Sequence, residues 1–183
     1  MKNFSVTSMS KKTYDRICAI QTYGLGAIVL LVLLSNFMFS RVISGSMYPT
    51  FDTDTIVIVS RNERVPDRED KMAFHPTIMV SDKENNIFTE LKLAKQGEHC
   101  FTKRCVGIPG DTIAVHDGHL IRNGEIIDSD YTNEELMDYE MDEVTLGEDE
   151  YFMMGDNRND SYDSHFFGPV HKDQFVGKII FYY

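Results

Sequence analysis

The segment from Tyr23 to Phe39 constrains this chain most: it holds leucine, valine, isoleucine and phenylalanine and no charged residue. As a helix from Thr22 to Phe39, about 18 residues rising roughly 1.5 Å each reach about 27 Å, enough for the hydrocarbon core of a bilayer. A removable signal peptide would leave this run through small residues. Here the exit is Asn36-Phe-Met-Phe-Ser-Arg41, which favours a retained anchor. A buried globular helix would carry a polar stripe, and only Ser35 and Asn36 interrupt the run.

The charges around the anchor give its direction. Lys2, Lys11, Lys12 and Arg16 against Asp15 leave residues 1–22 at about +3, so the rest of a chain with net charge -11 sits near -14. By the positive-inside rule the basic end stays in the cytoplasm and the acidic part crosses. The expected organisation is a cytoplasmic segment over 1–21, a single transmembrane anchor over 22–40 and an extracytoplasmic domain over 41–183. An acidic chain of this kind lacks the basic surface that nucleic-acid binding needs.

The exported part reads as mainly β. Thr55–Ser60 is short, β-branched and apolar, and reads as a strand. Between Asp111 and Ile127, Asp117-Gly118 and Asn123-Gly124 separate three apolar runs. Both dipeptides favour tight turns with φ > 0, so the stretch reads as a β-meander. Further strands are expected at Glu150–Met154 and Val176–Tyr183. Thr132–Met141 has some helical character with sparse apolar positions. The acidic run from Asp128 to Glu150 reads as a solvated loop or edge, since it lacks the spacing of a calcium loop.

Three segments carry chemistry. Ser44-Gly-Ser-Met-Tyr-Pro-Thr50 lies just past the anchor, with Ser46 about seven residues, hence at most about 25 Å, beyond Phe39. Thr102-Lys-Arg-Cys-Val-Gly-Ile-Pro-Gly-Asp111 places Lys103 on a short strand before a sharp turn shaped by Gly107, Pro109 and Gly110. The third, from Met153 to Val170, contains Gly155-Asp-Asn-Arg-Asn-Asp-Ser-Tyr-Asp-Ser164. It is a polar loop flanked by apolar residues.

Together these segments resemble bacterial signal peptidase I, the membrane-bound serine protease that removes signal peptides from exported precursors. The likeness covers the anchor and nearly the whole exported domain, with three boxes in order: Ser-x-Met-x-Pro-Thr, Lys-Arg-x-x-Gly-x-Pro-Gly-Asp and Gly-Asp-Asn-Arg-x-x-Ser-x-Asp-Ser. The short insertion between the second and third boxes resembles the compact Gram-positive type. The resemblance implies a signal-peptidase-like β-fold, no cofactor and no metal. It implies signal-peptide-bearing preproteins and the lipid bilayer as partners, with action after the Sec translocon in the bacterial cell membrane.

It also implies roles. Ser46 is the nucleophile and Lys103 its general base, because a serine hydroxyl attacks well only when a neighbouring group takes its proton. A solvated lysine titrates near 10.4, and burial against apolar side chains lowers that value at about 1.4 kcal/mol per unit. Ser161 matches the serine that holds the lysine. Ser44 matches the residue whose hydroxyl helps the Ser46 N–H hold the oxyanion. Arg104, Asp156, Arg158 and Asp163 match polar positions expected to brace the site by salt bridges. Small residues at -1 and -3 of the substrate would seat in shallow apolar pockets, for which Ile43 and Met47 are candidates.

The pattern is broken in places. His165 stands where arginine is usual, so the ion pair there becomes weaker and pH-dependent. Glu69-Asp70 and Thr53-Asp54 stand where a Gly-Asp turn is common, which leaves those turns open. Other readings are a histidine base, as in the related endoplasmic-reticulum form, a half metal site at His116-Asp-Gly-His119, a catalytically silent pilus or secretion assembly factor of the same fold, and a soluble Ser-Lys self-cleaving regulator. The half metal site spans an expected tight turn with no partner cluster, and the filled serine and lysine positions and the anchor speak against the other three. Cys100 and Cys105, five residues apart on opposite strand faces, are expected as free thiols unless a turn brings them together.

Overall fold

A computed structural model describes residues 10–76, 100–127, 131–132 and 136–183. The chain divides into two compact units, Met1–Phe37 and Met38–Tyr183.

The first unit is a helix, α1 (Lys11–Asn36), with no buried residue and a mean hydropathy of 2.3 over its most apolar window. By length and composition it can cross a membrane. It starts well before the expected Thr22, because the Ser10 hydroxyl caps it by accepting the Thr13 N–H, so Lys11 and its neighbours join the first turns. It also stops short of the expected Phe39. Near that end the Ser35 hydroxyl and the Asn36 amide both donate to the Val32 carbonyl, and Phe37 turns extended. Phe37–Arg41 is a strand, β1.

The second unit contains two antiparallel sheets. The strands are β2 (Ile56–Ser60), β3 (Lys71–Phe74), β4 (Phe101–Gly107), β5 (Thr112–His116), β6 (His119–Arg122), β7 (Glu125–Ile126), β8 (Met141–Thr145), β9 (Glu150–Met154), β10 (Val170–His171) and β11 (Phe175–Tyr182). One sheet has the order β1-β2-β11-β3-β4-β9-β10 and the other β7-β6-β5-β8. The expected meander is β5–β7. Its turns have Asp117 and Gly118 at φ 49° and 76°, and Asn123 and Gly124 at 54° and 81°.

Hydrophobic alternation explains the layering. On β2, Val57 and Val59 are buried, while β9 buries Tyr151, Phe152, Met153 and Met154 because both of its faces are covered. One core cluster lies around Phe74, Cys105, Met153 and Phe175. A second, under the meander, gathers Ile113, Val115, Leu120 and Phe152. The third joins Val42, Met47, Phe51, Val57 and Ile179 and anchors the segment that carries Ser46.

One local expectation changes and two are made definite. Within Thr132–Met141 the described residues are not helical. Met137 is buried in the second cluster with its N–H bonded to the Gly118 carbonyl, and Met141 begins β8; residues 133–135 lie outside the described set. The acidic run over 128–150 keeps its reading as solvated loop or edge, with the added detail that β8 forms the exposed edge of its sheet beside β5; 128–130 and 133–135 lie outside the description. The two open turns form without glycine, with Asp54 at φ 70° and Glu69 at φ 72° in the left-handed region. Two short helical turns follow β9, α2 (Ser164–Phe167) and a 3-10 turn at Lys172–Gln174.

Candidate active site

Packing on one side and hydrogen bonds on the other position Ser46. The neighbouring Met47 and Phe51 insert into the third core cluster, and the Phe51 N–H donates to the Met47 carbonyl at 2.9 Å. The Asn157 N–H donates to the Ser46 carbonyl at 3.2 Å, and the Asn157 amide donates to the Gly45 carbonyl. Ser46 is 8 % exposed, and its hydroxyl lies 3.1 Å from that of Ser44.

Lys103 arrives from β4, where it pairs in register with Met72 of β3. It shares a strand face with Phe101 and Cys105, the face packed into the protein, so its side chain is 1 % exposed. Its Nζ donates to Ser46 Oγ at 2.6 Å and lies 5.9 Å from the centre of the Phe101 ring. Here a buried lysine amine meets the hydroxyl of a serine that is itself almost fully buried.

The next residue serves a different purpose. Arg104 forms a two-pronged pair with Asp156, Nε to Oδ1 at 2.8 Å and Nη2 to Oδ2 at 2.7 Å, and both side chains are almost fully buried. The Thr50 hydroxyl donates to Asp156 Oδ2 at 2.5 Å and accepts from Arg104 Nη2 at 3.2 Å. The Tyr131 ring covers the guanidinium 3.7 Å away. Burial works against the Arg104 charge, yet its hydrogen bonds to Asp156 and the carboxylate's charge hold the guanidinium above its ordinary range. This pair ties β4 to the third box and, through Thr50, to the end of the Ser46 loop.

The third box closes the site from the side of β9. Gly155 packs so tightly that a Cβ there would meet Ser161 Oγ at 2.2 Å and the Ser46 carbonyl oxygen at 2.4 Å. Ser161 donates its proton to Asp163 Oδ2 at 2.5 Å, and the Gly155 N–H donates to the same oxygen at 2.8 Å. Asp163 is fully buried. Burial alone would raise its carboxyl, but hydrogen bonds from His165 and Gly155 and the charge of Lys103 hold it below the ordinary carboxylate range.

The expected braces are thus brought together, with one correction. Arg158 is buried beside the site but forms no salt bridge among the described residues. Its Nε donates to the Gly155 carbonyl and its Nη2 has no hydrogen-bond partner, because Asp156 is taken by Arg104 and Asp163 by His165. Arg158 supports the backbone of the box rather than an ion pair.

Beside Ser46 and Lys103 runs a groove between residues 40–47 and 100–103, with Ile43, Met47, Val57 and Phe101 as its apolar lining. Ile43 and Met47 are among the walls, as expected. Cys100 also lines it, with its thiol 3.6 Å from His75 Nε2. Both Cys100 and Cys105 are free thiols, and burial pushes the Cys105 thiol up to about 12.

The His116 turn, read from the sequence as half a metal site without a partner cluster, does have a carboxylate beside it. Glu140 accepts from His116 Nδ1 at 2.8 Å and from the Asp117 N–H at 3.0 Å. His116, Asp117 and Glu140 are all exposed, and the two donors already occupy both Glu140 oxygens, so the contact caps the hairpin. Sequence reasoning missed the bridging role of Thr50, although it lies in the first box. It missed the ring of Tyr131 because no local pattern links residue 131 to Arg104.

A β-domain that buries a serine hydroxyl against a lysine amine at the head of a groove has the architecture of a serine endopeptidase with a lysine partner. The model of the family described as "Signal peptidase, peptidase S26" matches residues 17–183, and the chain belongs to that family. It is therefore a serine endopeptidase that removes signal peptides, and a membrane-bound one. Curated relatives agree. The chain is 30 % identical over 165 residues to a signal peptidase I of Leptolyngbya laminosa, covering 88 % of this chain and 76 % of the relative. It is 32 % identical over 175 residues to a signal peptidase I of Bacillus caldolyticus, covering 86 % of each. A crystal structure of a signal peptidase I from Enterococcus faecalis is similar at 25 % identity and a TM-score of 0.45, over 62 % of this chain and 95 % of that one. Membership rests on the family model and the curated relatives.

Proposed function

We propose that Ser46 is the nucleophile and Lys103 the general base of a signal peptidase working on the outer face of the bacterial membrane. The observation that carries this reading is the 2.6 Å contact between Lys103 Nζ and Ser46 Oγ inside the protein, beside an apolar groove. A lysine can take the serine proton only as the neutral amine, the form that burial away from water favours.

An extended preprotein adds to the groove by backbone hydrogen bonds, with its small side chains against Ile43 and Met47. Ser46 Oγ attacks the scissile carbonyl and its proton passes to Lys103 Nζ. The Ser44 hydroxyl and the Ser46 N–H hold the oxyanion. On collapse the C–N bond breaks, the Lys103 ammonium gives its proton to the leaving amine, and the signal peptide remains as an ester of Ser46. Water, losing its proton to Lys103, then attacks the ester; the bond to Ser46 Oγ breaks, Lys103 returns the proton to that oxygen, and the signal peptide leaves with a free carboxylate.

The orientation we infer is N-terminus in, catalytic domain out, in a single pass, downstream of the Sec translocon. Lys11, Lys12 and Arg16 at the start of α1 support it. About ten residues separate Asn36 from Ser46, so at roughly 3.5 Å per residue the nucleophile stays within about 35 Å of the helix end.

One experiment tests the whole reading. A preprotein whose signal peptide ends Ala-x-Ala is given to the detergent-solubilised wild type and to Ser46→Ala and Lys103→Ala, and then to intact spheroplasts from outside. Cleavage after the second Ala by the wild type alone, with cleavage by spheroplasts without detergent, is the expected result. Activity in folded Lys103→Ala would refute the lysine base. Spheroplasts that cut only after lysis would refute the orientation.

A further inference from the structure

We propose that the cavity between the segment 138–141 and the loop 159–166 is a second peptide-binding site, one that takes an arginine side chain of a polypeptide. It shares no lining residue with the groove at Ser46, and nothing in it draws on Ser46 or Lys103.

The cavity measures about 340 Å³. Sites for small ligands begin near that size, at roughly 300 Å³. Contacts between its two walls fix its width. The Asp138 N–H donates to Asn159 Oδ1 at 3.1 Å, and the Asn159 amide donates to the Leu136 carbonyl at 3.0 Å. The Tyr139 ring stacks on His165 with centroids 4.2 Å apart and 10° between planes, and the Phe166 ring lies 4.0 Å from the same imidazole. Each wall is thus tied to the other by hydrogen bonds and by stacked rings, so the cavity is preformed.

Charge and shape select the ligand. Among the described residues the lining has two carboxylates, Asp138 and Glu140, and no lysine or arginine. Glu140 is engaged, accepting from His116 Nδ1 and the Asp117 N–H. The Asp138 side chain is exposed and its carboxylate accepts no hydrogen bond from the described residues, so it is open to a ligand. Phe166, 61 % exposed, adds an aromatic ring to the same cavity. A guanidinium suits this combination, because its fork of donors matches a carboxylate and its plane stacks on a ring. An ammonium would serve only as a point charge, and an anion would meet two carboxylates. The source is a preprotein, the kind of chain this family acts on, and a net charge of -11 draws basic segments to the protein. A weak contact is enough there, since for a chain already held at the groove the second binding event is intramolecular.

The probe is the peptide acetyl-Gly-Arg-Gly-amide, titrated calorimetrically into the detergent-solubilised full chain. Its partner has citrulline for arginine, which keeps the shape and loses the charge. The wild type should bind the arginine peptide with a Kd of about 1 mM or tighter, and the citrulline peptide at least about tenfold more weakly. Asp138→Asn should weaken the arginine peptide about tenfold and Phe166→Ala about threefold, each variant first shown to be folded by circular dichroism. Phe166→Leu replaces the alanine variant if that one does not fold. Ser46→Ala should bind as the wild type does. Citrulline binding as tight as arginine, unchanged binding by folded Asp138→Asn or by the Phe166 variant, or no saturation of the wild type up to about 20 mM would overturn the proposal. Loss of binding in Ser46→Ala would place the peptide in the catalytic groove and overturn it as well.

Discussion

Replacing Gly155 by alanine should slow catalysis sharply while leaving the protein folded, and the size of the effect follows from three distances. The added Cβ would stand 2.2 Å from Ser161 Oγ, 2.4 Å from the Ser46 carbonyl oxygen and 2.6 Å from Ser161 Cβ, whereas real Cβ contacts stay above 3.0 Å. Ser161 Oγ would have to retreat by about 0.8 Å and the Ser46 carbonyl by about 0.6 Å, taking each gap to 3.0 Å. Neither moves cheaply: Ser161 is tied to Asp163 at 2.5 Å, and the Ser46 carbonyl is backbone held by the Asn157 N–H. Misplacing catalytic groups by about 1 Å costs roughly 100-fold, so kcat should fall about that far with a smaller change in KM.

The fold should survive, because overpacking of this kind costs about 1–3 kcal/mol. For a domain of this size that lowers Tm by roughly 2–12 °C, at about 2–4 °C per kcal/mol. The assay is steady-state cleavage of an Ala-x-Ala substrate in detergent, with a circular dichroism melt on the same sample. Gly45→Ala is the stability control, since a Cβ there meets nothing within 4 Å and Tm should hold. A folded Gly155→Ala protein with wild-type kcat would show that the close seat of Ser161 on Ser46 has no part in the chemistry.

Two further outcomes concern the buried charges. Asp156→Asn keeps the shape but leaves the Arg104 guanidinium without its counter-charge, and breaking a buried pair in this way should cost about 3–5 kcal/mol in urea unfolding; a loss under about 1 kcal/mol would contradict the brace. Asp163 and Asp111 are both held below their ordinary range: burial opposes this in each, and donors from His165 and Gly155 in one, and from Arg68, Ile108 and Asn123 in the other, outweigh it. The unfolded chain therefore takes up protons first, so Tm should be flat above about pH 5 and fall as pH drops below about 4, a fall that Asp111→Asn makes shallower.

What could be read from the sequence were the features whose cause lies within a few residues. The anchor is a matter of local composition, the meander of Asp117-Gly118 and Asn123-Gly124, and the site of three short boxes. What could not be read depends on distant partners or on a cap. The early start of α1 turns on one hydroxyl, Ser10, in a polar stretch without periodicity. The strand at 141–145 exists because β5 offers it an edge, not because its acidic residues favour extension. Arg158 resembles a brace by its place in a motif, and only the three-dimensional allotment of Asp156 and Asp163 to other donors removes that role. The motif places His165 beside Asp163, as it is found, but the Tyr139 ring that stacks on it comes from 26 positions earlier in the chain and leaves no local sign.

The adjacent cations on β4 explain why this box needs lysine and then arginine. Successive residues of a strand face opposite ways, so Lys103 is sent towards Ser46 and Arg104 towards Asp156. A guanidinium is always charged and presents paired donors, which suits the two oxygens of Asp156 and fixes β4 against the third box. An amine can surrender its charge when buried, which suits the role of proton acceptor proposed for Lys103. Exchanging the two would fail at both ends. An arginine at 103 stays protonated and accepts nothing, and a lysine at 104 reaches one Asp156 oxygen as a point charge and leaves Thr50 unbridged. The rigid pair and the proposed proton acceptor are thus two uses of one strand's alternation, and the second depends on the first to hold β4 still.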